Sequence, residues 1–491
     1  MMSGTEKKKV NRRTVLKIAG GTVAGLIVGG VIGYLYRGVT IPPAETITVT
    51  KTVTERTTVR ETVTITAPTT PPPKKPIELV YWHHEAPSHR VAAHQKVCDL
   101  FYKETGIKVR QEVVLWGEAW TKTLAAIRAG TTPDFELSIP DLTLAAYLAG
   151  GLVPVDDIVK RIDEKYRIFE NVKMTEYWEG HYWGVPVWEM VWTWIYRPSY
   201  YEKYIGTKEP PKTWDDVIEY AKKLTVDVDG DGKIDIYGMG LTGAKNLCTQ
   251  EYVWNIMTTF GASVFDDEGN VVFYSPETVE AMRYYKQLWE YVPPGAMEWS
   301  WGEIELALAA GTVAQTSYFP AIQKRFYEMP DEKIRRDLAA APMPTNRVQA
   351  NLHYPNDAII FTKTAEDPDR LEAVAMFLEF LHRPDIHAII TAEQEPGGFY
   401  PCNEAAIAPD APFWKDPIIS FYRNINEVAM ECVKRGTLYG FGPKGLQNAK
   451  MGEVSGALIL ADVANRIVSG AMNIEEAVKW GHEEILRIVK G

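Results

Sequence analysis

The sharpest local pattern in the chain is Asp227-Val-Asp-Gly-Asp-Gly-Lys-Ile-Asp235. Counted as a calcium-binding loop, it places Asp227, Asp229 and Asp231 at positions 1, 3 and 5, with Gly232 supplying the sharp turn at 6. Lys233 then offers a backbone carbonyl at 7, and Asp235 stands at 9. Four carboxylates this close repel one another unless a cation gathers them. Gly238 occupies position 12, where a bidentate glutamate would complete the shell. The pattern therefore predicts either a weak structural Ca²⁺ site, in the range of about 10⁻⁴ to 10⁻³ M, or a plain solvated turn.

A second chemistry is carried by aromatic and polar residues at predicted strand ends. Residues 77–82 read as a buried strand and run into Trp82-His83-His84-Glu85. Residues 107–114 read as a second strand, followed by Leu115-Trp116 and Glu118; 135–139 read as a third, ending at Ser138-Ile139-Pro140-Asp141. Helices are predicted over 88–104, 117–128 and 142–148, closed near Gly106, Gly130 and Gly150-Gly151. Alternating strands and helices imply an α/β fold with a parallel sheet, whose ligands bind beyond the carboxyl ends of the strands. His83 and His84 are neighbours on an extended chain and point to opposite faces, so they converge poorly on one metal ion. Hydrogen bonding to a ligand or a loop is the better use for them.

The chain as a whole bounds these readings. Its 491 residues allow two or three domains, and 46% hydrophobic with 24% charged residues is ordinary for a globular protein. The net charge of −11 argues against a nucleic-acid partner. There are 15 Trp and 25 Tyr, and many of the Trp fall in predicted loops. The four Cys (98, 248, 402 and 432) lack CxxC spacing, which excludes a zinc ribbon or a thioredoxin-type site and leaves one or two disulfides open outside the cell.

The N-terminus reads as an address and an anchor. Lys7, Lys8, Lys9, Arg12 and Arg13 precede residues 18–36, an uncharged run rich in Gly, Val and Ile. Nineteen residues at 1.5 Å each span a bilayer core of about 30 Å. The basic head places the N-terminus in the cytoplasm and everything beyond residue 38 outside. Asn11-Arg-Arg-Thr-Val-Leu-Lys17 resembles a twin-arginine export motif but departs from it at Asn11 and Val15, so a general secretory signal-anchor is the other reading. With no A-x-A site and no lipid-carrying Cys after the run, residues 1–38 are expected to remain as an uncleaved signal-anchor. Residues 39–76, Thr alternating with Val or Ile and then Pro71-Pro-Pro-Lys-Lys-Pro76, read as an extended stalk.

Several stretches of residues 76–491 carry a family resemblance. Leu79-Val-Tyr-Trp-His83 resembles a first strand and its Trp-His turn. Leu124-Ala-Ala-Ile-Arg-Ala-Gly-Thr-Thr-Pro-Asp134 and Ala149-Gly-Gly-Leu-Val-Pro-Val155 follow in the family's order. So do Tyr182-Trp-Gly-Val-Pro186, Pro211-Lys-Thr-Trp-Asp215 and Gly311-Thr-Val-Ala314. Together they resemble the extracellular solute-binding proteins of carbohydrate ABC transporters, of the maltose-binding-protein type. The anchor and Thr-rich stalk resemble archaeal receptors of this class.

The resemblance implies a two-lobed α/β fold, each lobe a central β-sheet flanked by helices, with a ligand cleft between them. It puts 77–190 and 352–398 in lobe 1, and 191–351 and 399–491 in lobe 2. The chain would cross near 187–195, return near 350–354 and cross again near 397–400, where Gly397-Gly398 is a hinge or a plain turn. Sugar rings present C–H faces to aromatic side chains and hydroxyl rims to carboxylates and indole N–H groups. The implied platforms are Trp82, Trp116, Trp188, Trp254, Trp299, Trp301, Tyr318, Phe399 and Tyr400, each of them open to core packing instead. The implied polar partners are His84, Glu85, Glu118, Asp141, Glu189 and Asp357. Trp178, Trp183, Trp214, Trp289, Trp414 and Trp480 read as core, and Trp192 and Trp194 as hinge packing.

The function implied is a receptor, not an enzyme, that captures a mono- or oligosaccharide outside the cell. It would deliver the sugar to a membrane permease powered by separate ATPase chains, with no required cofactor. Two alternatives stand beside it. A polyamine or other small solute would suit the same fold with its aromatic walls and acidic residues; anions are disfavoured because the predicted cleft loops are poor in Arg. A carbohydrate-active hydrolase would need two carboxylates about 5 to 9.5 Å apart. The chain carries no G-x-S-x-G, HExxH or Walker motif to support other chemistry.

Overall fold

The computed structural model describes residues 77–433, 435–442 and 445–491; the expected anchor and stalk lie outside them. Strand β1 (Glu78–His83) pairs in parallel with β2 (Lys108–Val113) on one side and β3 (Phe135–Ser138) on the other. Helix α1 (Ser88–Thr105) links β1 to β2, and α2 (Ala119–Ala129) links β2 to β3. In α1, Ala93, His94, Val97, Cys98 and Phe101 fall on one stripe and are buried, as a 3.6-residue period requires. Gly106 ends the helix at φ 74°, a left-handed conformation that costs glycine little. Helix α3 (Pro140–Leu148) starts two residues before the predicted 142, because proline fits the first helical turn.

The chain then runs through β4 (Val185–Val191) and, after the single residue Trp192, enters β5 (Thr193–Tyr196) of a second sheet. That sheet is antiparallel, with β5 flanked by β6 (Gln315–Tyr318) and β7 (Ala339–Ala341). Its cover includes α4 (Trp214–Leu224), α5 (Leu247–Thr259) and α6 (Pro276–Leu288). The predicted helix start at Pro211-Lys-Thr-Trp-Asp215 is a capping box: Thr213 accepts from the Asp216 N–H, and Asp216 accepts from the Thr213 N–H. Helix α7 (Trp301–Ala310) precedes β6. Strand β8 (Asn351–Ile360) returns to the first sheet, antiparallel to both β3 and β4, with a register shift between Asn356 and Asp357. A third crossing lies alongside: the Glu189 and Tyr400 backbones exchange hydrogen bonds of 2.8 and 2.7 Å.

Each sheet has its own apolar core, which is the two-lobed α/β architecture expected. The first core includes Leu79, Tyr81, Phe135, Trp188 and Phe377 of α8 (Pro368–Leu381). The second includes Trp194, Trp214, Tyr252, Phe260 and Tyr285. Residues 400–433, with helix α9 (Arg423–Val433), add a smaller cluster against Val172 and Val191, where Tyr400, Cys402, Phe413 and Cys432 are buried. The four cysteines are unpaired and buried, so the disulfides left open by the sequence do not form. Among the described residues, no helix is long and apolar enough to cross a membrane.

The C-terminal helices α10 (Met451–Gly456), α11 (Ile459–Val468) and α12 (Ile474–Lys490) close the molecule. Helices α11 and α12 pack on the second lobe, but α10 lies against α3 of the first. Two glycines set that approach. A Cβ at Gly452 would strike the Asp141 carbonyl and lie 2.7 Å from the Ala145 nitrogen; one at Gly456 would lie 2.7 Å from Trp120 Cδ1. The Trp120 indole donates to the Gly452 carbonyl at 3.1 Å. Because the obstacles at Gly452 are backbone atoms, Gly452→Ala is expected to destabilise the protein by about 1 to 3 kcal/mol in urea unfolding. Gly117→Ala, with nothing within 4 Å of the new methyl, should be nearly neutral.

Candidate ligand-binding site

Between the two sheets lies a cavity of about 630 Å³, within the range of small-molecule sites. The first lobe supplies the turn after β1 and the start of α1 (His84 to Arg90), Leu115 and Trp116 after β2, and Ile139 after β3. These are the carboxyl ends of parallel strands, where a ligand is expected. The second lobe supplies Leu247 and Glu251 of α5, Trp301 and Glu305 of α7, and Tyr318 and Phe319 at the end of β6. Met190, Tyr354, Glu395 and Phe399, on or beside the crossings, close the floor.

Six of the residues expected at the site line this cavity together: His84, Glu85, Trp116, Trp301, Tyr318 and Phe399. His84 is held rigidly: Nδ1 lies 2.8 Å from the Val114 carbonyl oxygen and Nε2 lies 3.1 Å from Glu136. Trp116 covers its ring at 4.2 Å. The neighbouring His83 turns the other way, to Gln111 at 2.8 Å, and stacks on His94. The Tyr318 hydroxyl donates to Glu305 at 3.1 Å.

The other expected residues lie elsewhere, each for a visible reason. Trp82 is buried in a small cluster with Val114 and Ala126 and donates to Glu112 at 2.8 Å. Trp188 is fully buried in the first core and stacks behind Phe399. Glu189, also fully buried, accepts from the Tyr354 N–H at 3.0 Å and lies 3.3 Å from His353 Nδ1. Trp254 packs edge-on to Tyr439, and Tyr400 donates to Asn426 at 2.8 Å in the third cluster. Trp299 is half-buried, with its carbonyl accepting from Asn246. Glu118 is exposed in a turn of 3₁₀ helix. Asp141 accepts from the hydroxyls of Tyr439 and Ser455, and Asp357 from Thr143. Of the tryptophans expected in the core, Trp178 and Trp214 are buried, while Trp183, Trp289, Trp414 and Trp480 are half-buried against it. Trp192 and Trp194 pack fully buried at the first crossing.

Beyond Glu85, the charged residues of the cavity carry no local signal in the sequence. Arg90, in the first turn of α1, donates to Glu395 at 2.6 Å and to Glu85 at 2.5 Å. Burial alone would raise the Glu395 carboxyl, but the bond from His89 and the charge of Arg90 overcome it and hold Glu395 below the ordinary carboxylate range. Glu305 is pushed up to about 6, first by burial and then by Glu395 across the cavity. Burial raises Glu251 well above the ordinary range. Lys324 and Arg325 also line the cavity, so it is richer in cations than the predicted loops. Arg90 reaches the site from a helix and Glu395 from the turn after a short helical segment, and only tertiary packing aims them there.

Residues 86–387 match the family of bacterial extracellular solute-binding proteins. The chain belongs to this family. It is 22% identical over 423 residues to the putative ABC transporter periplasmic-binding protein YcjN of Escherichia coli, covering 85% of this chain and 94% of that protein. Its fold matches a solute-binding protein from Thermotoga lettingae, solved with α-D-tagatose, at TM-score 0.69 and 20% identity, covering 84% of this chain and all of that one. It also matches maltose-bound MalE3 of T. maritima at TM-score 0.68 and 18% identity, again over 84% of this chain and all of that one. This is a family of receptors, and the cavity between the sheets is where a solute would sit.

Behind the first-lobe wall of this solute-binding protein lies a buried acidic pair. Asp357 and Glu176 both crowd Gly184, where a Cβ would lie 2.6 Å from Glu176 Oε2 and strike Asp357 Oδ2. Burial pushes both carboxyls up, Asp357 to about 7, and their proximity pushes Glu176 further. A carboxyl raised on folding binds more protons folded than unfolded, so its stabilisation is full below the ordinary carboxylate range and is lost as pH climbs to about 7. Stability should therefore fall over that window by up to about 1.4 kcal/mol per pH unit from Asp357 alone. Asp357→Asn is expected to flatten the slope, read from urea midpoints across a pH series.

Proposed function

We propose that this solute-binding protein captures a mono- or oligosaccharide outside the cell and hands it to a membrane permease powered by separate ATPase chains. The observation that carries the reading is the cavity: Trp116, Trp301, Tyr318 and Phe399 face buried carboxylates in one space between two lobes. Aromatic faces suit sugar C–H faces, and carboxylates suit hydroxyl rims. The relatives solved with α-D-tagatose and with maltose support the same ligand class. Residues 18–36 would hold the receptor at the membrane, with the binding domain outside, and membrane fractionation of the full chain against one lacking residues 1–38 tests that placement.

A thermal-shift screen of the protein against sugars, polyamines and oxyanions tests the ligand class. A ligand at 100 times its Kd should add about 2.7 kcal/mol of stability. A shift with one sugar family, the sugar recovered unchanged, is the expected result. Trp301→Ala should weaken that sugar by about 1 to 3 kcal/mol through lost ring burial. A shift with polyamines alone would replace the ligand, and cleavage of an oligosaccharide would replace receptor by hydrolase.

The Asp-rich loop is proposed as a weak Ca²⁺ site away from the cavity. Ligand oxygens of Asp227, Asp229 and Asp235 lie within 4.8 Å of one another, and Gly230 and Gly232 make the tight turn at φ 81° and 89°. Asp231 pairs instead with Lys233 at 3.2 Å. Millimolar Ca²⁺ should raise Tm slightly, and Asp229→Asn should abolish the rise; an unchanged Tm in the native protein would mark a plain turn.

A further inference from the structure

The cavity's cations are already committed to carboxylates. Arg90 is shared by Glu85 and Glu395, Arg325 lies 3.6 Å from Glu305, and Lys324 is held by Glu328. One acid is left over. Glu251 lines the cavity from α5 with only 2% of its surface exposed, and no cation among the described residues pairs with it. Its Oε2 accepts from the Trp192 indole at 3.1 Å, and no described residue donates to Oε1. The other titratable groups around it are Asp141, Cys248, Tyr354 and Tyr439, none of which brings a positive charge.

A buried carboxyl without a counterion is costly as an anion. It stays protonated until something supplies a positive charge, and the open side of Glu251 is the ligand's side. Trp192, which donates to it, also packs against Trp301 and Phe319, so aromatic rings that attract a cation stand close by. A ligand bearing only hydroxyls would leave Glu251 neutral; one bearing an ammonium group would ionise it and complete the charge balance of the cavity.

We propose that the solute bound here is an amino sugar, a saccharide carrying a free protonated amine, and that Glu251 pairs with that amine. The inference rests on the sugar-receptor reading and narrows it. Two features follow. An amino sugar should bind more tightly than the same sugar with a hydroxyl or an acetamido group in place of the amine. Its binding should also release a proton from Glu251, which its neutral counterparts have no cause to do.

Calorimetry on the full chain in detergent tests both. The probes are matched sets: glucose, glucosamine and N-acetylglucosamine, the galactose set, and cellobiose with its amine counterpart chitosan disaccharide and its acetamido counterpart diacetylchitobiose, with spermidine as the non-sugar cation. At mildly acidic pH the amines are fully charged. The expected result is an amine member about tenfold or more tighter than its partners, with about one proton released, read from buffers of differing ionisation enthalpy. Glu251→Gln should bring the amine's Kd to within about threefold of the hydroxyl form's and remove the proton release. The proton count on the native protein stands alone if that variant does not fold. Equal or tighter binding of the hydroxyl or acetamido form overturns the amino-sugar inference and leaves the sugar receptor standing. Spermidine binding with no sugar bound overturns both, and silence across the whole set overturns the inference.

Discussion

Everything in the binding domain depends on the chain passing between lobes along strands that pair with one another. Strands β4 and β8 run antiparallel through the seam, and Tyr400 bonds to Glu189 on the side of β4 away from β8. Backbone groups at such a seam must be paired, since nothing else there can satisfy them. Glu189 adds its side chain to the same task by accepting from the Tyr354 N–H on β8. The seam fixes how the carboxyl ends of β1, β2 and β3 face the second lobe, and so fixes where the cavity lies.

The seam also explains which aromatics reach a ligand. Trp188 and Tyr400 sit on crossing segments and are consumed by the packing that holds those segments together. Phe399, next to Tyr400 at the end of a turn closed by its N–H on the Glu395 carbonyl, stacks on Trp188 and lines the cavity. Gly397 and Gly398 belong to the same economy of space. Gly397 sits at φ 76°, and a Cβ on Gly398 would lie 2.5 Å from Glu395 Cγ. The pair lets Glu395 fold back onto Arg90.

Much of the first lobe, and the Thr-capped start of α4 in the second, was legible in the sequence because local signals agreed with the fold: hydrophobic stripes, closing glycines and helix caps are short-range features. The strand-end residues His84, Glu85 and Trp116 were legible for the same reason, since a parallel sheet aims its carboxyl ends at the ligand. Glu251, Glu305, Arg90 and Glu395 were not. The first three are single charged residues on helices with many others, and Glu395 lies in the turn just after one, so their directions depend on how those elements dock. Trp82 shows the converse. It lies in the strand that leads into His84, but its ring is held by Glu112 on the neighbouring strand, under the cation of Lys122, so its packing partners decide its role.

The wall behind Glu251 is polar, buried and braced from both lobes. Asp141 on α3 of the first lobe accepts from Tyr439 and Ser455 of the C-terminal segment, and Tyr439 is hydrogen-bonded in turn to Tyr354 of β8. Burial raises Asp141 above the ordinary carboxylate range, although these hydroxyls pull it back. A network with this many partners is stiff, because losing one donor leaves a buried acid unsatisfied. Gly452 and Gly456 then bring α10 against α3 so closely that Asp141 has no room to move away. The wall therefore cannot relax to solvate Glu251 when that carboxyl ionises. Compensation has to come from the open side, which makes the stiffness of the C-terminal packing a condition for selecting the ligand by its charge.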